Sequence, residues 1–322
     1  MKRIIISRTD SLGDVILTLP MAGILKNYFP DSKIIFLGTK YSKPLIDACE
    51  FVDEFLDWGE LKEKKDYKDF QADMILHVFP VKGIQKLAKE ARIPVRIGSS
   101  HRWYSWLYCN KLVHYSRKKS NLHEAQLNLK LLKPLGIKRE YSISELSGMY
   151  GLTKVPLSTN ILPPDSRFNL ILHPKSKGSA REWGLDNFSK LITLLPEDKF
   201  CIYITGTKEE GNLMKDFLEK EKNRVQNMTG KLSLTELLAV INSCDGLIAA
   251  STGPLHIAAA LGKRAIGIYA PMRPIFPARW APLGKNATFL VLDKNCNACR
   301  KTGNCECIRA ITPGEVFEKL KG

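Results

Sequence analysis

The sequence predicts an α/β protein built from two doubly wound parallel sheets. Three observations carry this. Short apolar runs alternate with amphipathic segments before residue 150, a Pro- and Ser-rich stretch without period interrupts them, and the alternation then restarts. With 322 residues and 44% hydrophobic content the chain can bury two ordinary cores, so two domains are favoured over one large one.

In the first half, candidate strands fall at 3–7, 33–38, 74–77 and 95–97, with helix-like segments between the earlier ones. Residues 4–20, IIISRTDSLGDVILTLP, carry the first strand into a turn and then into a helix. Three consecutive isoleucines suit a buried parallel strand, and Ser11 to Asp14 supplies turn residues and a helix cap. The polar side chains therefore land at the strand's carboxyl end, where open α/β sheets bind ligands. Asp14 is there either a cap for the following helix or a carboxylate aimed into a cleft.

A linker is expected around residues 157–166, where STNILPPDSR is rich in Pro, Ser and Asp. The second set of strands falls at 168–173, 200–205, 246–249 and 265–269, with amphipathic segments near 187–195, 211–221 and 235–241. Thr312-Pro313-Gly314-Glu315 offers a capping residue, Pro at N1 and Glu at N3, which predicts a last helix from Pro313 to about Leu320. Two such sheets joined by a short linker leave a cleft, the default place for a ligand.

A net charge of +16 and a pI near 9.4 draw the surface to polyanions. Nucleic acid, an anionic membrane face and a phosphorylated substrate all fit the charge; no RNP motif, zinc finger or helix-turn-helix pattern favours the first. Arg96, Arg102, Arg117, Lys118 and Lys119 interleave with Trp103, Tyr104, Trp106, Tyr108 and Tyr115. That mixture suits a headgroup interface or an anionic sugar-lipid, or else an ordinary solvated face with aromatics packed inward. No run approaches eighteen apolar residues and the amino terminus enters a strand directly, so neither a membrane span nor a secretory signal is expected and a cytoplasmic location is.

Of eight cysteines, Cys49, Cys109, Cys201 and Cys244 lie in apolar surroundings that suit buried thiols. Cys296, Cys299, Cys305 and Cys307 form CxxC, five residues, then CxC. They are candidates for a structural zinc knuckle or an iron–sulfur ligand set, against free or reversibly oxidised thiols. The spacing is shorter than in ordinary zinc ribbons, which strains a tetrahedral site, and no catalytic role is assigned to them.

Residues 245–262, DGLIAASTGPLHIAAALG, read as a strand, a turn and a helix of small apolar residues. N–H groups at Gly253, Leu255 and His256, hydroxyls at Ser251 and Thr252, and the positive helix end make an anion site suited to a diphosphate. The plain alternative is a capped helix with His256 facing the sheet. The loop HPKSKGSAREWG, 173–184, adds Lys175, Ser176, Lys177, Ser179 and Arg181, with Gly178 for flexibility and Trp183 as anchor. It is not a Walker loop, and no GxGxxG fingerprint occurs. In a third loop, 205–210, Glu209 or Glu210 could accept from ribose hydroxyls or simply favour a helix dipole.

RTDSLGDVILTLP after a strand, the basic loop ending in REW, and STGPLHIAAALG leading into GIYAPMRP together resemble glycosyltransferase family 9, the ADP-heptose:lipopolysaccharide heptosyltransferases. The resemblance runs from residue 3 to about residue 320, with several motifs in the right order. It implies a GT-B fold: an acceptor-binding Rossmann-like domain (1–160) and a nucleotide-sugar domain (161–310) facing each other across a cleft, with a final helix (311–322) crossing back to the first. It places Asp14 on the family's catalytic aspartate, Arg181 where many members have a diphosphate-neutralising lysine, and Ser176 at a phosphate contact. Glu210 or Glu209 falls near the ribose contact, and Thr252, Gly253, Leu255 and His256 fall on the diphosphate turn. Ser251 departs from the family, which often has Asp there. Arg8, Ser11, Arg102 and Arg117 are the acceptor-side candidates. The stretch from His123-Glu124 to Asn128 also resembles a family segment and is read as structural.

The implied reaction is an inverting transfer without a required metal ion. Asp14 takes the acceptor proton, and the helix terminus with Arg181 and Lys175 or Lys177 steadies the leaving diphosphate. The expected partners are a nucleotide-diphosphate sugar, an anionic glycolipid or lipopolysaccharide acceptor and the cytoplasmic face of an anionic membrane, with no nucleic acid. Two alternatives remain: another GT-B enzyme such as a UDP-sugar epimerase or transferase, and a basic nucleic-acid-binding protein.

Overall fold

The computed structural model describes residues 1–63, 70–117, 120–156, 162, 166–292 and 305–321. The chain divides into two compact units, Met1–Lys154 and Val155–Gly322.

The first unit holds a parallel sheet of β1 (Arg3–Ser7), β2 (Lys33–Gly38), β3 (Glu54–Asp57), β4 (Met74–His77), β5 (Val95–Ser99) and β6 (Lys111–Val113), in the order β3-β2-β1-β4-β5-β6. Ile4, Ile5 and Ile6 are fully buried, as a central strand covered on both faces requires. The second unit repeats the plan with β7 (Phe168–His173), β8 (Phe200–Ile204), β9 (Val225–Asn227), β10 (Gly246–Ala250), β11 (Arg264–Tyr269) and β12 (Ala287–Val291), ordered β12-β11-β10-β7-β8-β9. Counted from its own first strand, each sheet reads 3-2-1-4-5-6, the doubly wound order whose direction reverses beside the first strand. That reversal puts the carboxyl ends of β1 and β4, and of β7 and β10, at the ligand-binding positions of their sheets.

The eight strands expected from sequence are the eight central ones. The four others, β3, β6, β9 and β12, are the sheet edges. Three of them, EFLD, KLV and VQN, are short and carry charged or amide side chains, the form that edges take to avoid pairing with other chains, whereas β12, ATFLV, carries neither.

The last helix runs Pro313–Lys321, and Thr312 and Glu315 close the anticipated capping box: Thr312 N–H donates to Glu315 Oε2 at 2.7 Å and Glu315 N–H to Thr312 Oγ1 at 3.2 Å. Its apolar face is taken up within the second unit. Val316 and Leu320 are buried in the second unit's core with Trp183, Phe188 and Leu191, and the helix packs on Leu185–Leu194. Two apolar positions four residues apart give one buried stripe, and this core occupies it.

Candidate active site

In the first unit, β1 ends at Ser7, and helix Leu12–Ile16 starts five residues later with Ser11 as its N-cap residue. Asp14 is therefore in the first helical turn and is not the cap. The Ser11 hydroxyl donates to Asp14 Oδ2 at 2.6 Å, and the other carboxylate oxygen accepts from Arg8 Nη2. The Asp14 side chain keeps 18% exposure whereas that of Arg8 keeps 3%, so the carboxylate can meet a ligand and its counterion cannot.

Arg8 is enclosed by acceptors. Its Nε donates to Asp10 at 2.7 Å and its Nη1 to Glu124 at 3.4 Å and Asn128 at 3.2 Å. Burial opposes the charge, but Asp14, Asp10 and Glu124 outweigh it and hold the guanidinium protonated well above its ordinary range. Asp10 is disfavoured as an anion: burial pushes its carboxyl up against the pull of Arg8. Arg117 closes the far side, donating to Glu124 at 2.9 Å, to Asn128 at 3.2 Å and to the Val78 carbonyl at 3.3 Å. Asn128 in turn donates to the Leu17 carbonyl and Thr18 Oγ1, both at 3.2 Å, and Thr18 donates to the Asp14 carbonyl at 2.8 Å.

The structure thus gathers Arg8, Ser11, Asp14 and Arg117 into one network, where both arginines are internal counterions. Arg102 lies outside it, exposed at the N-cap of helix Trp103–Tyr108. Glu124 and Asn128, read from sequence as structural, are the residues that hold both arginines. Their separation from Arg8 by more than a hundred residues hides this from any local pattern.

In the second unit, β10 delivers Ser251 and Thr252 to helix Gly253–Ala260. Thr252 is the N-cap residue with extended backbone, yet its side chain caps nothing. Its Oγ1 is buried and has no hydrogen-bond partner among the described residues. The His256 N–H, expected to face an anion, instead donates to the Thr252 carbonyl at 3.3 Å, and the His256 ring is buried at 2% exposure. Pro254 carries no N–H, which leaves Gly253 and Leu255 as the first-turn donors. The Leu255 side chain is fully buried in the core, and Ser251 is hydrogen-bonded to the buried Tyr269 hydroxyl.

The loop after β7 is held from within by Glu182, a residue the sequence reading passed over. Its carboxylate accepts from Lys175 at 2.9 Å and from the Ser176 N–H at 3.2 Å and hydroxyl at 3.3 Å. Ser176 is buried and also donates to the Ala180 carbonyl at 3.0 Å. Lys177 and Gly178 take left-handed φ of 49° and 81°, which turns the loop back on itself; Arg181 is half-buried beyond the turn. Trp183 anchors the loop as expected, buried and donating to the Ile311 carbonyl at 2.8 Å.

After β8, Glu210 is buried in a capping box, accepting from the Thr207 N–H at 2.8 Å, while Glu209 is exposed. His173 contacts Thr205 Oγ1 at 2.9 Å; burial lowers its pKa against the opposing pull of Glu210. Of the clustered cysteines, Cys305 and Cys307 are buried in the second unit's core, and Cys296 and Cys299 lie outside the described residues. No group of His, Cys, Asp and Glu suited to a metal ion occurs among the described residues.

Two sheets of Rossmann order, with a carboxylate at one switch point and a helix N-terminus and a basic loop at the other, fit the GT-B fold that the motif resemblance implied. The model of glycosyltransferase family 9 (heptosyltransferase) matches residues 86–308, and the chain belongs to that family, as the motif resemblance implied. A lipooligosaccharide heptosyltransferase 2 of Campylobacter jejuni is 24% identical over 96% of this chain and 95% of its own. Among solved structures, a family 9 glycosyl transferase of Veillonella parvula superposes with a TM-score of 0.81 at 19% identity, covering 99% of this chain and 96% of that one. The E. coli ADP-heptose lps heptosyltransferase II superposes with a TM-score of 0.76 at 18% identity, covering 100% and 98%. At these identities the structural matches speak for the fold.

Proposed function

We propose that this glycosyltransferase moves a heptose from ADP-heptose to a lipopolysaccharide core or related glycolipid, with inversion. The observation that carries the reading is the Asp14 carboxylate, partly exposed and fixed on both oxygens by Arg8 and Ser11 at the β1 switch point, in a chain of the heptosyltransferase family. The E. coli and Campylobacter relatives support the donor and acceptor by what they are described as transferring.

The acceptor oxygen attacks the anomeric carbon as its proton passes to Asp14; the new C–O bond forms while the bond to the donor's β-phosphate breaks, and ADP leaves. Thr252 Oγ1, the N–H groups of Gly253 and Leu255, and Arg181 with Lys177 stabilise the charge on the departing diphosphate. These donors make a metal ion unnecessary in this scheme. A structural zinc at the cysteine cluster is a separate matter, and substoichiometric zinc and iron in the purified protein would remove it.

Release of ADP from ADP-heptose, followed with a truncated lipopolysaccharide acceptor, tests the assignment. Acceptor-dependent ADP release is expected, with no comparable release from UDP- or GDP-sugars. Turnover of a UDP-sugar in preference would overturn it.

A further inference from the structure

The first unit concentrates its charge and its exposed aromatic surface in the same place. Residues 79–117 contain eight Lys or Arg and a single acidic residue, Glu90; six of the eight, Lys82, Lys86, Lys89, Arg92, Arg102 and Lys111, are exposed, while Arg96 and Arg117 are held inside. Within this stretch helix Trp103–Tyr108, WYSWLY, turns only Ser105 fully inward. Trp103 is 66% exposed, Trp106 65% and Leu107 55%, three large apolar side chains within five consecutive positions.

Trp106 and the neighbouring Tyr104 are tied to the unit by their polar ends. The Trp106 indole N–H donates to the Ser100 carbonyl at 3.0 Å, and the Tyr104 hydroxyl to the Pro80 carbonyl at 2.8 Å. Cations flank the rings. Lys82 Nζ stands 5.1 Å from the centre of the Trp103 ring, Lys89 donates to the Leu107 carbonyl at 2.9 Å, and Arg102 and Lys111 are exposed at either end. No helix among the described residues is long and apolar enough to cross a membrane.

We infer that helix Trp103–Tyr108 is a membrane-docking element, placing Trp103, Trp106 and Leu107 in the headgroup region of an anionic bilayer while the surrounding lysines and arginines meet lipid phosphates. Indole rings favour that depth because their bodies are apolar and their N–H groups polar. A polybasic surround supplies the second, salt-sensitive attraction that a few apolar side chains need for stable binding. Charge complementarity selects a lipid surface over a neutral apolar partner. The inference deepens the glycolipid-acceptor reading by naming the surface that brings the enzyme to its acceptor, but it stands on exposure and charge alone.

Co-sedimentation of the full chain with phosphatidylcholine vesicles, with and without phosphatidylglycerol, tests it in the absence of donor and acceptor. Partition is expected to rise at least about tenfold with the anionic lipid and to fall with salt. The double variant Trp103→Ala/Leu107→Ala is expected to lose most of this binding, about tenfold, with an unchanged thermal midpoint because both side chains are largely exposed. Brominated lipid should quench wild-type tryptophan fluorescence more than that of the Trp103→Ala/Trp106→Ala variant. Equal partition to neutral and anionic vesicles, full binding by the folded variants, or salt-sensitive binding of DNA without vesicle binding would overturn the inference. Because no sugar is transferred in this assay, its failure is distinct from failure of the ADP-heptose assignment.

Discussion

Arg8 and Asp14, six residues apart on either side of the β1 turn, form an ion pair in which the cation is buried and the anion is the partner left accessible. The pair does not stand alone. Three carboxylates, Asp10, Asp14 and Glu124, face Arg8, with Arg117 as a second cation on Glu124. A base held at both oxygens in this way is oriented before substrate arrives, which lowers the cost of reaching the reactive geometry.

Replacing Asp14 with Asn keeps the shape and removes the proton acceptor. Transfer is expected to fall about 10²- to 10⁴-fold in kcat. ADP-heptose affinity should stay near wild type, because the donor-binding groups assigned above lie in the second unit, while the thermal midpoint should fall somewhat because buried Arg8 loses one of its three carboxylates. Wild-type turnover by a folded Asp14→Asn protein would remove the assigned base.

Glu124 reaches Asp14 through Arg8, so its variant should behave as a positioning defect. In Glu124→Gln, Arg8 loses one of its three carboxylate partners and Arg117 loses its ion pair. The expected result is a fall of about tenfold in kcat with donor KM unchanged, the pattern of an interaction needed in the transition state. A raised donor KM with intact kcat would instead mean that Glu124 supports substrate binding.

The central strands and both switch-point loops were legible because each is a local pattern: an apolar run, a turn, a cap. Glu182 was missed beside a basic loop that reads as all donors; only the fold shows that its carboxylate ties Lys175 and Ser176 together. The arginines at 8 and 117 were legible as chemistry but not as partners, since their acceptors on helix Glu124–Leu129 depend on tertiary placement. The last helix was legible in its cap and length, while the core it joins was not, because one amphipathic stripe fits any apolar surface of matching width.

Thr252 separates a ligand contact from a fold contact. Its buried hydroxyl has no partner among the described residues, so Thr252→Val should leave the unliganded protein equally stable or more stable by up to about 1 kcal/mol. The same change should weaken ADP-heptose binding by about 1.5–3 kcal/mol if the hydroxyl donates to the diphosphate. Calorimetric donor titration beside a thermal melt checks both halves. Destabilisation with unchanged donor affinity would make Thr252 a structural residue.

His77 predicts how the fold responds to acid. It ends β4 beside Ser7, is fully buried, and neither ring nitrogen has a hydrogen-bond partner among the described residues. Burial, aided by Arg96, pushes its pKa down from 6.5 to about 3. The folded chain therefore keeps His77 neutral in the window between those values, while the unfolded chain takes up a proton. Stability is present above the unfolded value and is lost as pH falls through the window, by about 1.4 kcal/mol per pH unit. His77→Gln removes this proton from the balance. Urea unfolding at about pH 7 and about pH 5 should show the wild type losing about 2 kcal/mol more than the variant over that interval. His173, also lowered by burial, adds an acid sensitivity that both proteins share. Identical acid losses in the two proteins would mean that His77 accepts a proton without leaving its place in the sheet, and that water or an anion reaches it there.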